Sequence, residues 1–203
     1  MTKGSCPLRK IAITGNIGAG KSTFLHSLEN LGCYAVSSDD LVHQALNENR
    51  LIQKKIGETF GKDVLNPDNT MNKLALAEKV FQDIRKIKVL EGLLHPHVMK
   101  ELQKIYKHLS PAEHKAFVVE IPLLFEGGFE DWFDTVILLT APLSIRRRRC
   151  IARGFSESDF ALREKRFIPD HAKIDKCEFV IENGSNPQQL QKQALRVAKE
   201  LSL

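Results

Sequence analysis

Residues 15 to 23 read Gly15-Asn16-Ile17-Gly18-Ala19-Gly20-Lys21-Ser22-Thr23: a glycine, four residues, then Gly-Lys-Ser. Few short stretches restrict a fold so strongly. Glycines at this spacing let several backbone N–H groups turn toward one point, which suits a bound phosphate chain. The flanks agree with that reading. Arg9-Lys10-Ile11-Ala12-Ile13-Thr14 has the composition of a buried strand, and a helix is expected to open at Ser22. A helix N-terminus adds partial positive charge to the same anion site. In such a loop Gly18, Ala19, Gly20, Lys21, Ser22 and Thr23 would surround a nucleotide's phosphates. Lys21 would place a cation on the β- and γ-phosphates, and the Ser22 hydroxyl would ligate Mg²⁺.

Downstream, apolar runs alternate with helical stretches. Tyr34–Ser37, Phe117–Pro122, Thr135–Thr140 and Phe179–Ile181 read as further strands, and a final amphipathic helix runs to Leu203. This order predicts an α/β fold with a five-stranded parallel sheet flanked by helices. The core is expected over about 9–49, 115–142 and 178–203, as part of one domain spanning 1–203. Between its segments lies a helical region, about 50–110, interrupted by a loop at 61–70. Helical stripes are expected over Met71, Leu74, Leu76, Val80 and Phe81, and again from Ile84 to Leu94. Pro96 should break or kink the second helix beside His95.

Functional groups of parallel sheets gather at the carboxyl ends of strands. Asp39 follows the second strand and is expected on the side of the phosphate loop, with Ser38 or Asp39 capping the next helix. Glu120 stands inside an apolar strand, where a carboxylate needs a partner, and would lie near the metal. Ile145 to Gly154 holds four consecutive arginines, and Arg146, Arg149 and Arg153 share one face of a helix. In a chain with a phosphate loop, such a helical pair over about 143–170 reads as an arginine-bearing lid.

A formal charge of +5 suits a polyanionic ligand or a nucleic acid. No apolar run approaches the length of a membrane span. The N-terminal Met1 to Pro7 lacks an apolar signal core, so a cytoplasmic protein is expected. Cys6, Cys33, Cys150 and Cys177 are scattered and read as reduced thiols.

Several longer motifs together resemble the dephospho-coenzyme A kinase family, nearly end to end. They are the phosphate loop, Ser37-Ser38-Asp39, Leu93-Leu94-His95-Pro96, Ile121-Pro122-Leu123-Leu124-Phe125-Glu126, Arg149-Cys150-Ile151-Ala152-Arg153, and Val180-Ile181-Glu182-Asn183-Gly184. The resemblance implies a P-loop NTPase fold with a helical acceptor-binding region. It implies transfer of the γ-phosphoryl group of ATP, with Mg²⁺, to the ribose 3′-hydroxyl of dephospho-CoA. By the same resemblance Asp39, Lys21 and Arg149 are catalytic. Arg149, Arg153 and Asn183 join the loop around the nucleotide, while Asp39, His95, Pro96, Pro122, Leu123, Leu124 and Arg163 form the acceptor side. The small-molecule substrate is the expected partner, without nucleic acid or membrane, for a monomer or weak homo-oligomer.

Three positions depart from the family pattern. Ser37 replaces the first of two aspartates, Phe167 stands near a usual glutamine, and Lys73 replaces an arginine. Two alternatives share the phosphate loop: a nucleoside-monophosphate-type kinase and a nucleic-acid-binding ATPase. A GTP-binding module would need a guanine reader, and Ala172-Lys173-Ile174-Asp175 lacks its first polar residue.

Overall fold

The structure, a computed structural model, describes residues 7–80, 83–184 and 186–203. Cys6, Phe81 and Ser185, all part of the sequence reading, lie outside the described residues. The elements in chain order are β1 (Arg9–Thr14), α1 (Lys21–Glu29), β2 (Tyr34–Ser37), α2 (Ser38–Glu48) and α3 (Arg50–Phe60). Then come α4 (Lys73–Val80), α5 (Ile84–His108), β3 (Ala116–Glu120), α6 (Leu124–Gly127) and β4 (Thr135–Thr140). The chain finishes with α7 (Leu143–Ala152), α8 (Glu157–Glu164), β5 (Phe179–Glu182) and α9 (Pro187–Glu200). They group into two compact units: the chain up to Ser37 together with Leu109–Leu203, and Ser38–His108.

The first unit carries the five-stranded sheet, ordered β2-β3-β1-β4-β5 with every pairing parallel. The three inner strands β1, β3 and β4 are apolar at successive positions because both of their faces are covered, whereas the edge strands β2 and β5 are only partly buried. Ile11, Ile13, Val118, Ile137 and Leu139 pack against Phe24, Leu25 and Leu28 of α1 and Leu190, Ala194 and Val197 of α9. The alternate residues Ala12, Phe117, Val119, Val136 and Leu138 are buried as well. At roughly 1.5–3 kcal/mol for each large apolar side chain removed from water, these two layers dominate the stability of the unit. Strand β1 lies between β3 and β4, so the chain leaves it in one direction toward β2 and later crosses it toward β4. Such a switch point opens a crevice at the carboxyl end of the central strand, where the phosphate loop begins.

The second unit is helical. Ala45 and Leu46 of α2, Ile52, Ile56 and Phe60 of α3, Leu76 and Val80 of α4, and Ile87 and Leu94 of α5 form its core. Helix α2, expected with the sheet, packs on α5 and belongs here. The turn from α2 to α3 is held by buried Gln53, whose Nε2 donates to the carbonyls of Leu46 and Asn47 at 2.9 Å each. Asn49 caps α3 by accepting from the N–H groups of Leu51 and Ile52.

Three local expectations are corrected. Pro96 does not end its helix: α5, 25 residues long, runs through it from Ile84 to His108. The missing N–H costs one bond, and the ring opposes residue 92, which is glycine with open space around it. Burial of Ile87, Leu94, Val98 and Leu102 along the same helix outweighs that cost. The helix expected from Met71 starts at Lys73, because Asn72 Oδ1 accepts from Ala75 N and acts as the cap. Met71 instead bridges to Leu65, closing the 61–70 loop into a small hairpin. Ser38 and Asp39 lie inside the first turn of α2, which follows β2 without an intervening residue. Among the described residues, no helix is long and apolar enough to cross a membrane.

Candidate active site

The carboxyl edge of the sheet supplies the groups in a row. Strand β1 ends at Thr14 and passes into the glycine loop, while α1 starts at Lys21 with Gly20 before it. No side chain caps α1, in contrast to Asn49, Ser156 and Asn186 at the starts of α3, α8 and α9. The uncapped N–H groups of its first turn remain available to an anion. The loop glycines are required by their surroundings, as two of them illustrate. A Cβ on Gly18, whose φ is +78°, would lie 2.6 Å from the carbonyl oxygen of Arg146. One on Gly20, with φ +100°, would lie 2.2 Å from Asn183 Nδ2.

Lys21 is buried, and its Nζ donates to the carbonyls of Gly15 at 2.8 Å and Asn16 at 3.3 Å. The ammonium thereby closes the loop on itself as a compact cation. Next to it the Ser22 hydroxyl donates to Glu120 Oε1 at 3.2 Å. Glu120 is the last residue of β3 and pairs in register with Ile13 and Ser37. Its burial inside an apolar strand is thus matched by a polar partner, as the sequence reading required. A hydroxyl beside a carboxylate is a hard-oxygen pair that suits Mg²⁺, which keeps several other ligands as water and phosphate oxygen. Among the described residues no group of three or more His, Cys, Asp or Glu side chains could hold a metal by itself.

The opposite flank is built by Asn183 and α7. Asn183 follows β5, is buried, and its Nδ2 donates to the carbonyl of Ala19 at 2.8 Å. Arg149 reaches both sides, donating through Nη1 to Gly18 O at 3.3 Å and through Nη2 to Asn183 Oδ1 at 3.2 Å. Burial, together with neighbouring Arg148 and Arg153, lowers the Arg149 pKa. A polyanion placed there would relieve that repulsion.

The arginines do not share one working face. Helix α7 ends at Ala152, so Arg153 falls past its end and is exposed. Arg146 is only 5% exposed and points inward. It donates to Ala141 O, to Ile17 O and, through both terminal nitrogens, to the carboxylate of Glu164 on α8. Arg163 lies 5.0 Å from the ring centre of Phe155. Pro122 and Leu123 are half-buried in the turn after β3, where Pro122 O accepts from Thr14 Oγ1, whereas the Leu124 side chain is fully buried. Asp39 is exposed in the first turn of α2, and His95 and Pro96 lie on α5, all within the helical unit.

Four residues escaped the sequence reading as members of the site: Asn16, Glu164, Lys173 and Asp170. Asn16 Nδ2 donates to Glu164 Oε1 at 3.3 Å, and Lys173 Nζ donates to Asn16 Oδ1 at 2.9 Å. Asp170 has a buried Oδ1 without a hydrogen-bond partner among the described residues. Burial raises its pKa, Lys173 and Arg146 pull it back, and Glu164 pushes it up again. With the folded pKa above the unfolded one, the contribution to stability is complete below about pH 4 and declines as pH rises through the raised value. Asp170→Asn is therefore expected to raise the melting temperature at neutral pH, with the gain shrinking toward pH 4. Melting curves from pH 4 to 8 check this, and a gain independent of pH would exclude it.

Cys33, Cys150 and Cys177 are free, and the Cys177 thiol is pushed up to about 11 by burial and by Glu178.

Comparison with known proteins agrees with this geometry. The family model for dephospho-CoA kinase matches residues 9–189. A dephospho-CoA kinase of Aquifex aeolicus is 35% identical over 96% of this chain and 98% of its own. A crystal structure of a Thermus thermophilus protein superposes with a TM-score of 0.80 at 32% identity, covering 97% of this chain and 99% of the other. The dephospho-CoA kinase from Campylobacter jejuni gives 0.69 at 31% identity, covering 95% and 96%. A phosphate loop at the switch point, the strand-end partners Glu120 and Asn183, and a match of this extent place the chain in the dephospho-CoA kinase family.

Proposed function

We propose that the protein transfers the γ-phosphoryl group of ATP to the ribose 3′-hydroxyl of dephospho-CoA, giving CoA and ADP, the last step of coenzyme A synthesis. The observation that carries this reading is the open N-terminus of α1, flanked by the Ser22–Glu120 pair on one side and the Arg149–Asn183 pair on the other. The hydroxyl oxygen attacks the γ-phosphorus in line, its proton passes to Asp39, and the bond to the β-phosphate oxygen breaks. Asp39 is the second residue of α2, two positions after β2 ends in the chain. With Ser37 in place of a second aspartate, it serves as the single acceptor of that proton.

Positioning and charge stabilisation do most of the remaining work in such a transfer. Lys21 and the N–H groups from Gly18 to Thr23 hold the β- and γ-phosphates, and Arg149 spreads the developing charge. Ser22, with Glu120 behind it, would hold Mg²⁺, which would supply neutralisation of the phosphate charge. Asn183 frames the nucleotide side, and Arg153 and Arg163 close over the phosphates from 143–170, the lid. His95, Pro96, Pro122 and Leu123 receive the acceptor, with buried Leu124 anchoring the turn that presents Leu123. The three free thiols suit a reducing compartment, which fits a cytoplasmic enzyme acting as a monomer or weak homo-oligomer.

An acceptor panel tests the proposal: ADP release with dephospho-CoA, AMP, dTMP and adenosine. Turnover is expected with dephospho-CoA and its close relatives alone. Comparable turnover on AMP or dTMP would instead favour a nucleoside-monophosphate-type kinase. Steeply salt-dependent binding of DNA or RNA without turnover would favour a nucleic-acid ATPase.

A further inference from the structure

We propose that Lys173 is a positioning residue for the phosphate loop, acting through the side-chain amide of Asn16, and that it sets affinity for the nucleotide rather than for the acceptor. This rests on the reading of residues 15–23 as the nucleotide's phosphate site.

Lys173 is fully buried, although it comes from a short polar turn between α8 and β5. Its ammonium is held by three groups: Asn16 Oδ1 at 2.9 Å, Glu126 Oε1 at 3.5 Å, and the ring of Phe167, whose centre is 5.4 Å away. An aromatic face at the position of the departure from the family pattern gives the buried cation a partner that needs no hydrogen bond. Glu126 is itself oriented by the backbone N–H of Ile168, which donates to Oε1 at 2.7 Å. A buried ion pair is seldom the most stabilising way to fill such a space, since apolar groups of similar volume do as well or better. What Lys173 adds, and a methionine would not, is direction.

That direction falls on Asn16. A lysine ammonium offers only donors and the Glu164 carboxylate only acceptors, so the Asn16 amide can face one way alone. A half-turn of the amide would lose both bonds. The carbonyl of the same residue accepts from Ala19 N at 3.2 Å and from Lys21 Nζ at 3.3 Å. Any tilt of residue 16 therefore moves the turn of the loop and the phosphate-binding ammonium together. Arg146 grips Glu164 from the other side and also holds Ile17 O. Residues 16 and 17 are thus clamped between two cations from segments far apart in the chain, neither of which needs to touch a phosphate.

Lys173→Met, Asn16→Ala and the double variant test this in the full-length protein. The readouts are KM for ATP, KM for dephospho-CoA, the dissociation constant for ADP by titration calorimetry, and the melting temperature. Each single variant is expected to weaken ADP binding and raise KM for ATP about tenfold or more, the worth of a buried hydrogen bond to a charged group. KM for dephospho-CoA should stay unchanged, and the double variant should be no worse than the weaker single one, because both cut the same link. Additive losses, equal losses for both substrates, or a lower melting temperature with unchanged nucleotide constants would each overturn the proposal. If Lys173→Met does not fold, Asn16→Ala decides alone, since it leaves the Lys173–Glu126 pair intact; parent-like ADP binding in that variant overturns the proposal. A parent protein that binds no ADP would instead remove the nucleotide reading on which the inference stands.

Discussion

Asp39→Asn is expected to lower turnover by roughly 10²–10⁴, the usual worth of a general base, while ATP binds as in the parent. The substitution keeps size and shape and removes only the ability to take a proton from the attacking hydroxyl. Asp39 is exposed in the first turn of α2, where a negative charge also complements the helix N-terminus. The amide forfeits a small part of that stabilisation, so the melting temperature should drop only slightly. Rapid-mix turnover alongside ADP calorimetry separates the two effects. Parent-like turnover would take Asp39 out of the mechanism, and a matching loss of ADP affinity would make it a nucleotide-site residue instead.

Lys21→Met should cost roughly 10²–10³ in turnover, the scale for removing one preorganised charge from a transition state. ATP affinity should fall with it, because on the proposed reading the ammonium would face the phosphates in the ground state as well. The lost hydrogen bonds to Gly15 O and Asn16 O come from a charged donor and are each worth about 1.5–3 kcal/mol, so the variant should also be less stable than the parent. Lys21→Arg should not restore activity: the slot is buried, and a planar guanidinium needs more room than a compact ammonium. Recovery of parent turnover by the arginine variant would mean that positive charge alone, without position, suffices at this site.

The inner strands were legible because burial on both faces writes a continuous apolar run into the chain. Thr135–Thr140 appears as read, as does the partly buried edge strand Tyr34–Ser37, and the acidic residues Glu120 and Glu182 each end a strand. The break expected at Pro96 does not occur because a local preference worth a few kcal/mol competes there with four buried side chains on a long helix. Helical spacing correctly placed Arg146 and Arg149 on one helix but could not tell their tasks apart. One lies against Glu164 and Ile17, and the other against Gly18 and Asn183.

The amino-acid sequence by itself determined the alternation of strands and helices, the glycine loop and the family, since each rests on residue types at short spacing. Only the tertiary structure decided which polar groups hold that loop in shape. Lys173 and Asn16 are 157 positions apart, and Asn183 and Ala19 are 164 apart. No periodicity links residues so distant: Asn183 meets Ala19 because parallel strands bring their carboxyl ends to one edge, and Lys173 reaches Asn16 from the turn between α8 and β5.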